Sequence, residues 1–134
     1  MTFPRLVASI LALMIAAQLT GCGGDGTEKY VQSTESARDA LEAALNAWKS
    51  GKPMGTIDSS GGAKIEPLDT RWRDGQQIES FTIVEELPGD PHPEFKVTLR
   101  FKDALENEES TYVVFGIDPI QVYRSEDYEA ATGM

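Results

Sequence analysis

The chain has one cysteine and one histidine in 134 residues. A single thiol rules out an intrachain disulfide, and Cys/His metal centres need more ligands than these two residues supply. A Ser/His/Asp or Cys/His set would have to be built on His92. That residue lies between Pro91 and Pro93 in a predicted surface turn, where an imidazole is solvated and has no partner to orient it. Basic side chains are also scarce: 12 Lys and Arg stand against 22 Asp and Glu, for a net charge of −10. Nucleic-acid binding and adhesion to anionic membranes both depend on clustered Lys and Arg. The acidity argues against both and reads as a solvated surface. Neither G-x-x-x-x-G-K-[ST] nor G-x-G-x-x-G occurs, and Glu106-Asn107-Glu108-Glu109 lacks the spacing of a calcium loop. No metal or cofactor is expected. The longest apolar run, Leu6 to Ala17, falls short of the roughly 20 residues a membrane-spanning helix needs.

What is present begins with that run. It follows Arg5, is interrupted only by Ser9, and has the length of a signal-peptide h-region. It leads into Leu19-Thr20-Gly21-Cys22, after which comes Gly23-Gly24-Asp25-Gly26. Leu19-Thr20-Gly21-Cys22 resembles the lipobox of bacterial lipoprotein precursors. The resemblance implies that residues 1–21 are a signal peptide cut away before Cys22, that the Cys22 thiol is diacylglycerylated and that the new amino terminus is acylated. It further implies a protein exported and lipid-anchored to a bacterial cell membrane, facing the periplasm. Gly23, rather than Asp, after the cysteine leans toward the outer membrane. Taking 21 residues from 134 leaves 113, and the loss of Arg5 makes the net charge −11. That length suits one domain. Residues 22–32 carry glycines and no apolar pattern, so they read as a flexible tether.

The single domain is expected over residues 33–128. Ala37, Ala40, Leu41, Ala44, Leu45 and Trp48 recur at helical spacing over Ser33–Lys49. Ser33, Thr34 or Ser36 can cap the start, with Asp39 in a capping-box position after Ser36. Gly51 and Pro53 end the helix. Lys52–Lys64, with Ser59-Ser60-Gly61-Gly62 at its centre, reads as a loop. The stretch Ile65–Gly75 is the most individual, because Asp69 and Asp74 bracket Arg71, Trp72 and Arg73. The bland reading is a partly buried Trp with arginines at a strand edge. The sharper one makes Arg71, Trp72 and Arg73 a binding patch for an envelope protein, since Trp and Arg dominate interface hot spots. In an extended segment the two arginines would project opposite the Trp.

The remainder alternates with strand periodicity. Phe81, Ile83 and Leu87 share one face of Gln76–Leu87, with Ile78 and Val84 on the other. Phe95, Val97, Leu99 and Phe101 share one face of the next strand. Asp103–Ser110 is expected to be an acidic hairpin tip, Thr111–Ile117 a strand, Asp118-Pro119 a bend, and Ile120–Tyr123 the closing strand. Residues 129–134 are expected to be a frayed tail. The fold class is therefore α+β: one amphipathic helix packed on a curved antiparallel sheet of four or five strands. Leu45–Gly51 and Tyr112–Tyr128 resemble a group of small bacterial lipoproteins of cystatin-like or NTF2-like architecture. Two functions follow as expectations. The first is a non-enzymatic interaction domain held at the membrane by its lipid. The second is an NTF2-like pocket protein that binds a small ligand or uses a carboxylate such as Asp69 or Asp118 near Trp48. A closed core would favour the first, and a deep pocket around a buried carboxylate the second.

Overall fold

The computed structural model describes residues 33–89 and 91–133. The signal-peptide, lipobox and tether expectations, including Leu19, Thr20, Gly21 and Cys22, lie outside the described residues. Helix α1 spans Thr34–Lys49. Of the three candidate caps, Ser33 does the work: its side chain accepts from the Ser36 N–H, and Glu35 and Lys49 complement the dipole at either end. Gly51, at φ 89°, takes the left-handed turn that closes the helix. Four alanines on its buried face (Ala37, Ala40, Ala44, Ala47) bring it close to the sheet, with Leu41, Leu45 and Trp48 filling the gaps.

The sheet is larger than the alternation suggested and it is mixed. Six strands run β1 (Ile57–Asp58), β2 (Lys64–Leu68), β3 (Ile78–Leu87), β4 (Glu94–Phe101), β5 (Asn107–Phe115) and β6 (Ile120–Arg124). Their spatial order is β1-β2-β6-β5-β4-β3, curled into a half-barrel. Strand β2 pairs parallel to β6, and the other pairs are antiparallel. The stretch expected to be a loop thus contributes β1, and the mixed stretch after it contributes β2. Pro67 is tolerated in β2 because β1 pairs only with Lys64 and Ile65, so the strand's outer side is already free there.

Two irregularities in β3, between Ile78 and Ser80 and between Ile83 and Glu85, correct the expected faces. Each extra residue inverts the alternation. Ile78 therefore joins the core opposite Phe101 rather than lying on the far side, and Phe81 and Ile83 still pack inward. Strand β4 follows its pattern without exception: Phe95, Val97, Leu99 and Phe101 are all buried. Glu108 and Glu109, expected at a hairpin tip, lie within β5. The tail also differs from expectation. Helix α3, Ser125–Thr132, has acidic residues in its first turn and ends at Gly133, φ 80°. It lies on the outer face of the sheet, where the Tyr128 ring meets Phe115 at 5.3 Å.

The core sits between α1 and the concave face. Trp48 is fully buried, stacks on Trp72 at 5.6 Å and 13°, and meets Phe101 edge-on at 5.8 Å. Both indole N–H groups are satisfied by backbone carbonyls, Trp48 by Gln76 at 2.7 Å and Trp72 by Lys52 at 2.8 Å. The space where a pocket would open between helix and sheet is therefore filled by aromatic rings.

Candidate functional site

The residues Arg71, Trp72 and Arg73 form a short helix, α2 (Thr70–Arg73), rather than an extended segment. The cause is Asp69, whose carboxylate caps the turn by accepting from the N–H groups of Arg71 (2.9 Å) and Trp72 (3.3 Å). A helical turn scatters three consecutive side chains around its axis instead of alternating them. Trp72 goes into the core, 5% exposed, so it is no exposed anchor. Arg71 lies over the Phe101 ring at 4.1 Å, pairs with Glu108 and donates to Gln76. Arg73 alone stays exposed. The three residues do not form one surface patch.

What gathers around α2 instead is a buried polar node. Asp69 and Arg124 are 2% and 4% exposed and meet at 3.0 Å through the guanidinium Nε. The Tyr112 hydroxyl donates to the other Asp69 oxygen, and Arg124 also donates to Ser110. Burial first, and the adjacent Asp69 carboxylate second, push the Tyr112 phenol well above its ordinary 10.0, with Arg124 pulling the other way. A second carboxylate, Asp127 of α3, accepts from both the backbone N–H and the hydroxyl of Thr70. The node ties β2, α2, β5, β6 and α3 together. The sequence singles out Asp69 as one of the acids bracketing Arg71–Arg73 and as a carboxylate near Trp48. Sequence reasoning missed Ser110, Tyr112 and Arg124, whose only sequence signal is polar character at inward positions of otherwise apolar strands.

The other candidates separate. Asp118 accepts from the Lys64 N–H at 3.2 Å at the surface and makes none of the node's hydrogen bonds. His92, expected to be solvated, is half-buried with its ring 5.5 Å from Phe115, and its Nδ1 has no hydrogen-bond partner among the described residues. Among the described residues no three His, Cys, Asp or Glu are grouped to hold a metal, and no helix is long and apolar enough to cross a membrane.

Three clefts open on the described surface away from this node, and none of them is lined by Asp69, Tyr112 or Arg124. One, about 370 Å³, lies between the first half of α1 and the turn joining β1 to β2. Its floor is apolar (Ala40, Ala43, Ala63 and Ile120), and Ser36, Asp39, Ser59 and Ser60 stand around it. The Ser59–Gly62 stretch that resembled no phosphate loop thus forms one wall of a cleft. A smaller one, about 330 Å³, runs beside Lys52, Met54, Trp72 and Arg73. Lys52 there follows the C-terminus of α1 and Arg73 is the last residue of α2, positions where cations complement the dipole without any ligand. Comparison with protein-family models, curated proteins and solved structures returned no match for this chain.

Proposed function

We propose that the chain is a lipid-anchored lipoprotein of the bacterial cell envelope whose domain acts by binding a partner, without catalysis. The anchor rests on Leu19-Thr20-Gly21-Cys22 placed directly after an apolar h-region. A cystatin-like or NTF2-like ancestry accords with one long helix laid on a curled sheet and is part of the same proposal.

The observation that carries the binding reading is the state of Asp69. Among the described residues it is the one buried carboxylate, and it is already held by two backbone N–H groups and a guanidinium on Oδ1 and by a phenol on Oδ2. A general base or acid needs a free position facing substrate, and none of the three clefts reaches it. The Trp48–Trp72 stack fills the volume where an NTF2-like pocket would lie.

The anchor is tested on the chain expressed from residue 1. Mass spectrometry should find an acylated N-terminal cysteine, and Cys22→Ser should release the protein from membranes. Each buried CH₂ contributes about 0.8 kcal/mol, so losing two or three acyl chains removes stable attachment. Unchanged membrane retention of the variant, with no acyl mass on the native chain, refutes the assignment.

A further inference from the structure

We propose that the cleft between α1 and the β1–β2 turn is a docking site for a Lys- or Arg-bearing apolar segment of a protein partner. The proposal rests on the reading of the domain as a binding module and names its surface and the chemistry of its partner. Ala40 and Ala43 on α1 are too small to fill the space beside the turn, and about 370 Å³ stays open next to Ala63 and Ile120. That volume falls within the usual range of ligand clefts. At its rim Ile117 is 43% exposed, one of three large apolar side chains so exposed among the described residues. An apolar floor with an exposed aliphatic rim suits a side chain with an apolar body.

Charge selects the head group. Asp39 stands in the cleft wall and makes no ion pair among the described residues. The cation on the adjoining strand, Lys64, is already committed: its ammonium pairs with Asp58 and its backbone N–H with Asp118. Among the described residues the cleft thus keeps one carboxylate without an ion pair and no cation in its lining. A Lys or Arg can lay its aliphatic stem on the alanine floor and turn its charge to Asp39. The net charge of −10 acts in the same sense, drawing cationic partners in by long-range attraction.

The test uses ¹⁵N-labelled chain expressed from residue 1 and purified in whatever processed form the cell makes. It is titrated with the capped peptide acetyl-Leu-Lys-Leu-amide, its Leu-Glu-Leu counterpart, and free pentylamine. The Lys peptide should shift the amides of Ala43, Ser60 and Ala63, and more tightly than either other probe. Asp39→Asn, at an exposed position, should weaken it about 3-fold, the size of an exposed ion pair. Ala43→Leu should fill the floor and remove binding; if that variant does not fold, Asp39→Asn alone decides. The proposal is overturned if the Lys peptide leaves the cleft amides unmoved, or if the Glu peptide or Asp39→Asn binds equally well. Pentylamine matching the peptide also overturns it, because the site would then be one for small amines. The acyl mass on Cys22 is read from the same preparation, so a wrong anchor and a wrong cleft give different results.

Discussion

Replacing Tyr112 by Phe should produce a stability difference that changes sign with pH. At pH 8 the variant loses the hydroxyl that donates to Asp69 while leaving the ring in place. Asp69 keeps Arg124 and two backbone N–H groups, so no buried charge is stranded. One hydrogen bond to a charged group is worth about 1.5–3 kcal/mol, and the variant should be less stable by roughly the lower figure. Raising the pH reverses this. Tyr112 has its phenol pushed well above 10.0 by burial. In the unfolded chain it ionises near its ordinary pKa of about 10. The stability from the raised pKa is fully present below about 10 and is lost as pH climbs from there toward the folded-state value. In that window the unfolded state binds fewer protons than the folded one, giving about 1.4 kcal/mol lost per pH unit. Phe has no proton to lose, and every other titration is common to both proteins. The two should therefore be equally stable near pH 11, with the variant the more stable above it. Urea unfolding followed by the fluorescence of Trp48 and Trp72, at half-unit steps from pH 8 to 11.5, measures the difference. A gap that stays constant across that range refutes the burial argument for Tyr112.

Other expectations follow from the same packing. Trp48→Ala and Leu99→Ala should each lose roughly 2–5 kcal/mol, both being fully buried, whereas Thr98→Ala, half-exposed on the opposite face, should cost far less by the same urea titrations. Trp72→Ala should lower the melting temperature as a core truncation and leave partner capture from membranes unchanged; weakened capture at an unaltered melting temperature would return Trp72 to the surface. Arg124→Met strands the Asp69 charge in the interior and should cost about 3–5 kcal/mol, with a loss below 1 kcal/mol in equilibrium unfolding as the contrary result.

How much was legible in the sequence depends on where each signal is stored. Helix α1 and strand β4 carry theirs locally, as apolar residues at periods of 3.6 and 2, and both stand where the periodicity placed them. Strand β2 carries almost none. It has five residues including Pro67, and it becomes a strand through parallel pairing with β6, more than fifty residues away. Strand β3 shows why its faces misled: each irregularity preserves inward packing in space while breaking alternation in the sequence. Helix α3 has no buried side chain and no apolar stripe. It is held by Asp127 on Thr70 and Tyr128 on Phe115, contacts with partners that only the folded chain brings near.

The site was harder to read than the fold because a sequence shows which groups are present and conceals which are already engaged. An ionised carboxylate offers about four acceptor positions. Asp69 receives four donors, from Arg71 N, Trp72 N, the Tyr112 hydroxyl and Arg124 Nε. Three of them fall on Oδ1 and the Tyr112 hydroxyl alone on Oδ2, and these partners come from three separate parts of the chain, so no spacing rule could have revealed how deeply the carboxylate is enclosed. Asp39 presents the opposite case. Its position after Ser36 suggested a capping role, yet Ser33 caps α1 and leaves Asp39 without an ion pair among the described residues. Of the two, the exposed residue is the one still able to bind something. Burial alone would have chosen Asp69, and access to an open cleft moves the proposed binding role to Asp39 beside α1.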